Sequence, residues 1–231
     1  MTKVFEKHET LFCILLIIIY IVLNSACVQH FGDTSLVGFI ANTVLSICLI
    51  VIVLVLRRTS YYGLTTVKNA RQYLYFIPLL FIVTVNLWNG VNINKPSNEI
   101  LLHILTMLNI GFIEEIIFRG FLFKMMAKNN VKVAIIVSSV TFGAGHIINL
   151  LNGADLIPTL LQICYATATG YLFVIIFHKS KSLVPCIITH SLVNSLSVFN
   201  IENTVSLYIA PVFLTAVPLA YSFYINKRIK E

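Results

Sequence analysis

Charge is what this sequence has least of. Only 11% of its 231 residues are Asp, Glu, Lys or Arg, and nine of those are acidic. A soluble domain carries roughly a quarter, so a water-exposed globule is excluded. No repeat, low-complexity tract or polar insert long enough for a second folded domain is present. The five cysteines, Cys13, Cys27, Cys48, Cys164 and Cys186, each sit in an apolar run without paired spacing. That excludes a disulfide framework or a cysteine zinc site and leaves them as small buried hydrophobes. The H-E-x-x-H pair of a zinc-protease helix is also missing.

What is present is apolar length. Hydrophobic residues make up 58% of the chain, and its mean hydropathy is +0.90. The runs are about 20 residues long, the length an α-helix needs to cross hydrocarbon. The pattern predicts an all-α polytopic membrane protein, one domain over residues 1–231, with eight spans. These fall at residues 11–31, 36–56, 74–93, 100–123, 131–150, 156–177, 183–199 and 204–225, the seventh being shorter and more polar. Residues 59–75, with Tyr61, Tyr62, Lys68, Arg71 and Tyr73, read as an interfacial segment. The start resembles a signal peptide, and Leu23 to Cys27 approaches a lipoprotein cleavage box. Asn24 stands where an aliphatic residue is wanted, so a retained first span is expected.

The few charges are placed asymmetrically. With Met1 inside, fourteen of the sixteen basic residues fall in inner loops, Lys95 lies outside and Arg119 lies within a span. Asp33, Glu99, Asp155 and Glu202 occupy the outer loops. The positive-inside bias therefore predicts both termini in the cytoplasm. It also accounts for the net charge of +7 through the lipid bilayer as partner, without nucleic acid. The Ile-, Asn- and Lys-rich composition, with no organelle signal, suits a bacterial cell membrane.

Against that background, residues 111–120, G-F-I-E-E-I-I-F-R-G, stand out. Three ionisable groups there would each cost roughly 2.5–3.5 kcal/mol if left bare in a membrane helix. Glu115 and Arg119, four apart, share a face and can pair. Glu114 is rotated away from Arg119 and must point at something else. A purely structural ion pair is the bland alternative.

The fifth span holds F-G-A-G-H, with His146 on the face of Phe142, and small residues Ser138, Ser139, Gly143, Ala144 and Gly145 that would let a neighbour approach. The seventh holds H-S-L-V-N, which puts His190 and Asn194 on one face. Taken singly, each His is more often a packing or hydrogen-bonded residue than a catalyst. Together they offer two carboxylates, two imidazoles and an amide to one poorly hydrated site. Counted along ideal helices from the inner ends, Glu114 lies about 13–15 Å deep, His190 about 10 Å and His146 about 20 Å.

E-E-I-I-F-R, F-G-A-G-H and H-S-L-V-N resemble, in order, the three motifs E-E-x-x-x-R, F-x-x-x-H and H-x-x-x-N/D of the CPBP family. That family includes CAAX prenyl proteases and bacteriocin-processing enzymes and is also called Abi. The resemblance covers roughly residues 100–199, flanked by spans 11–93 and 204–225 that match in hydropathy alone. It implies an intramembrane endopeptidase acting on a hydrophobic or membrane-attached peptide, of the pheromone- or bacteriocin-processing or self-immunity type. Glu114 would be the general base on water and His146 would help hold that water. His190 and Asn194 would orient the carbonyl or stabilise its oxyanion, and Glu115 and Arg119, with Phe142, would brace the site. Glu114, His146 and His190 could also hold Zn²⁺ with an open position, although a metal-independent glutamate site is the expectation. The rivals are a bacteriocin-immunity protein that only binds, and a small transporter using Glu114 and His146 as a proton relay. The inverted repeats and broken spans common in transporters are not evident.

Overall fold

The computed structural model describes residues 2–67 and 76–228. Lys68, Arg71 and Tyr73, the first two residues of the expected third span, and residues 229–231 lie outside the described residues. Every regular element among the described residues is helical. The short helix α1 (Thr2–Lys7) leads into α2 (Glu9–Phe31), followed by α3 (Leu36–Val55), α4 (Ile77–Val83) and α5 (Ser97–Ala127). Next come α6 (Val131–Gly145), α7 (Leu156–Ser180), α8 (Val184–Leu196) and α9 (Ala210–Arg228). The chain is an all-α polytopic membrane protein.

Among the described residues, six helical segments are long and apolar enough to cross a membrane: Glu9–Phe31, Leu36–Val55, Ser97–Ala127, Val131–Leu151, Leu156–Ser180 and Val205–Lys227. The expected third and seventh spans are shorter. Val184–Phe199 falls below crossing length. Among the described residues, the third segment forms only α4 and a 3₁₀ turn, Val85–Leu87. Its polar groups explain why. The Asn86 amide donates to the Val193 carbonyl at 2.7 Å, and the Asn92 N–H donates to Phe199 at 2.9 Å. At the other end of α8, the Leu183 N–H donates to Gly63 at 2.8 Å. Gly63, Asn86 and Asn92 thus meet α8 and its flanking residues in the same order along the chain. Irregular backbone is tolerable at membrane depth where a protein neighbour supplies its hydrogen bonds.

Basic residues cluster where the ends of several helices meet. Lys128 pairs with Glu9, Arg58 pairs with Glu6, and the Tyr61 hydroxyl donates to the Lys124 carbonyl. The interfacial reading fails for Tyr62, which is fully buried with its ring 4.6 Å from that of Phe121. It belongs to the core that closes this end of the bundle.

Two close backbone approaches set the interior. A Cβ on Gly111 of α5 would come within 2.7 Å of the Ser191 backbone on α8. A Cβ on Gly143 of α6 would lie 2.8 Å from the Ile163 carbonyl of α7. Contacts this short are the usual means of membrane helix packing, where no hydrophobic driving force separates protein from lipid. Of the small residues expected at the second approach, Ser138, Ser139 and Gly143 are buried, Ala144 is exposed and Gly145 faces open space.

Candidate active site

The site begins with the change of helical winding in α5. The α-helix runs to Glu115 and continues as a π-helix over Ile116–Phe123. Such insertions are rare and concentrate at functional positions. Glu114 and Glu115 stand at this junction, and Arg119 lies inside the π segment.

The Gly111–Ser191 approach brings α8 alongside, with the Ser191 hydroxyl donating to the Leu108 carbonyl at 3.2 Å. One residue earlier, His190 meets both carboxylates. Its Nδ1 lies 2.8 Å from Glu115 Oε1 and its Nε2 lies 3.2 Å from Glu114 Oε2. Glu114 Oε1 accepts a 2.6 Å hydrogen bond from the Tyr20 hydroxyl of α2. Glu114 does point away from Arg119, and its partners come from the first and seventh expected spans.

Arg119 and Glu115 are 0% exposed, with Nη1 3.1 Å from Oε1. None of the guanidinium nitrogens has a well-aligned hydrogen bond. The cation is held by Coulomb attraction and by aromatic faces, with Phe142 4.0 Å away and Phe173 5.8 Å away. Gly170 of α7 makes room for it, since a Cβ there would sit 2.9 Å from Arg119 Nη2.

Proton arithmetic follows from these contacts. Two carboxylates and one guanidinium leave one negative charge, which a single further proton cancels. That proton can reside on His190 or on Glu114 without changing the net charge of the buried cluster. A neutral cluster avoids the several kcal/mol that an uncompensated buried charge costs.

His146 lies in the turn that follows Gly145. Its Nδ1 is 3.1 Å from the Phe142 carbonyl, so Nδ1 is assigned the proton and Nε2 keeps its lone pair. The Phe142 ring lies 5.3 Å from that of His146 and 5.6 Å from that of His190.

The expected residues border two adjoining cavities rather than one. Glu114, Tyr20 and His146 line a cavity of 60 Å³, whereas His190, Asn194 and His146 line one of 70 Å³. Phe142 stands between them and borders both. Each has room for water, which needs only about 10–15 Å³ on this measure. Ile82, Tyr165, Phe173 and Leu214 form apolar walls of the larger cavity, with Gln162 and Thr169 as further polar groups.

Tyr20, Gly170 and Gln162 were not among the expected site residues. Tyr20 had one signal, a tyrosine in the middle of an otherwise aliphatic run. The zinc trio does not assemble. His190 turns both nitrogens to carboxylates, and among the described residues no three His, Cys, Asp or Glu side chains group as metal ligands. The donor set does not fit a metal ion in this arrangement, so no step is routed through one.

Residues 96–196 match the family described as Type II CAAX prenyl endopeptidase Rce1-like. That stretch runs from the start of α5 to the end of α8 and contains all three motifs. No curated protein and no solved structure matches the chain.

Proposed function

Because the segment carrying this cluster matches the family described as Type II CAAX prenyl endopeptidase Rce1-like, we propose that the chain is an intramembrane endopeptidase working through Glu114. The observation that carries the reading is a buried carboxylate held between the Tyr20 hydroxyl and the His190 imidazole and bordering a water-sized cavity.

In this mechanism water occupies the smaller cavity between Glu114 and His146 Nε2. Glu114 takes its proton as the water oxygen bonds to the peptide carbonyl carbon, which becomes tetrahedral with negative charge on its oxygen. The Asn194 amide, facing the larger cavity, is the donor left for that oxyanion, since both His190 nitrogens are engaged with carboxylates. Fixed donors of this kind count for more where water is excluded. The carbon–nitrogen bond then breaks and Glu114 returns the proton to the departing amine. His190 holds or releases the shared proton as the charge on Glu114 changes. Glu115 and Arg119 hold His190 and do not touch the substrate.

The substrate is proposed to be a hydrophobic or membrane-attached peptide. The apolar walls of the larger cavity would take its side chains, and Gln162 and Thr169 would meet its backbone. The basic end of the bundle is assigned to the cytoplasm of a bacterial cell, from the charge bias, with peptide-pheromone or bacteriocin processing, or self-immunity, as the setting.

The test is Glu114→Gln in cells and in purified protein. General-base loss should reduce peptide release by about 10²–10⁴-fold, read by mass spectrometry, with helical content unchanged. A variant that keeps full biological activity while folded would end the catalytic reading and leave a binding-type immunity protein. Loss of solute uptake in vesicles, without any peptide cleaved, would instead indicate a proton-coupled transporter. Metal independence predicts that a chelator leaves purified activity within about two-fold; restoration by Zn²⁺ alone after chelation would overturn it.

A further inference from the structure

At the basic end of the bundle, away from the carboxylate cluster, a separate cavity of 190 Å³ opens between the loop after α3, the end of α5 and the end of α7. Lys124, Lys181, His178 and Ser60 supply polar groups, and Tyr61, Phe123 and Phe177 supply aromatic walls. We propose that this cavity binds the phosphate group of an anionic phospholipid from the adjoining leaflet.

Charge accounting supports the assignment. Among the described residues, every carboxylate at this end is already engaged. Glu6 pairs with Arg58 and Glu9 with Lys128. Glu114 and Glu115 are held by Tyr20, His190 and Arg119. Lys124 and Lys181 border one cavity with no acid to neutralise them. The partly buried Lys124 ammonium lies 4.2 Å over the Tyr61 ring and 5.9 Å from Phe177. Aromatic faces soften that charge but do not cancel it.

The backbone is committed to this arrangement. Lys181 adopts a left-handed φ of 59° at the end of α7, a conformation disfavoured for an L-residue. Gly63 holds the loop close, with a φ of 73° and its carbonyl accepting from Leu183. A Cβ at Gly63 would lie 2.9 Å from the Leu183 nitrogen, so no other residue fits without movement.

Position selects the lipid. Lys124 lies three residues before the end of Ser97–Ala127, and Lys181 immediately follows Leu156–Ser180. That is headgroup depth, where basic pockets between membrane helices take anionic lipid phosphates. A bound phosphate would also fasten α5 immediately after the π segment.

The test uses the full purified chain in phosphatidylcholine micelles doped with phosphatidylglycerol, with lipid retention read by native mass spectrometry. Phosphatidylglycerol should be retained in preference to phosphatidylcholine. Lys124→Gln with Lys181→Gln should weaken that retention roughly thirty-fold, from about 1 kcal/mol for each lysine. The double arginine variant should retain the lipid, and Lys132→Gln, an exposed basic change outside the cavity, should have no effect. The proposal is overturned if Lys132→Gln matches the double variant, or if the two lipids are retained equally. It is also overturned if millimolar inorganic phosphate displaces the lipid completely, since the cavity would then be a free-anion site.

Discussion

α3 and the second half of α5 are both helices of a membrane protein, yet α3 buries only Gly38, Asn42, Ser46, Leu49 and Val53 while α5 buries almost everything from Ile110 to Phe123. α3 is almost wholly aliphatic and leaves Leu36, Ile40, Val44, Ile47, Val51 and Leu54 exposed to the surroundings. From Ile110 to Phe123 all residues except Phe112 are buried, including Glu114, Glu115 and Arg119. In lipid the most hydrophobic helix is the one that can afford the outside, because hydrocarbon already solvates it. Ionisable groups are drawn inward, where other protein groups can satisfy them.

Substitutions can test how far that contrast extends. The largest effect is expected from Arg119→Ala, which would leave buried Glu115 without its cation and with His190 as its remaining partner. It should cost about 3–5 kcal/mol, measured as a loss of thermal stability in detergent. An unchanged melting curve would show that the buried pair contributes nothing to the fold. Tyr20→Phe removes one hydrogen bond to a carboxylate, worth about 1.5–3 kcal/mol, while keeping the ring. It should cost that much stability and, in addition, lower peptide release by the folded protein roughly ten- to a hundred-fold. A loss of peptide release no greater than the loss of folded protein would make Tyr20 a packing residue only. Gly111→Ala must push α8 away and should cost about 1–3 kcal/mol, with activity falling alongside, because His190 moves with Ser191. At the bottom of the scale, Ile47→Ala on the exposed face of α3 should stay within about 0.5 kcal/mol and release peptide at the normal rate. A large effect there would mean that α3 faces another protein rather than lipid.

The sequence carried much of this, and the misses share a cause. Spacing alone put Glu115 and Arg119 on one face and turned Glu114 elsewhere, and the contacts agree. The motif residues Phe142, His146, His190 and Asn194 do gather, although Phe142 divides their space in two. Tyr20, Gly170 and Tyr62 were illegible as partners because their roles depend on which helix lies opposite. Hydropathy reports whether a segment prefers lipid, not what it packs against. The third expected span fell short for a local reason: Asn86 hydrogen-bonds to α8 and the Asn92 N–H to Phe199 just beyond it, and the segment gives up helix for that attachment.

The Tyr20–Glu114 hydrogen bond joins residues 94 positions apart, and this bears on biosynthesis. At about 5–20 residues per second, Tyr20 is made roughly five to twenty seconds before Glu114 emerges, and His190 later still. An emerging acid can therefore find its hydroxyl partner already made, but must wait for its imidazole. Hydrolytic competence would then be acquired late in synthesis, when α8 arrives.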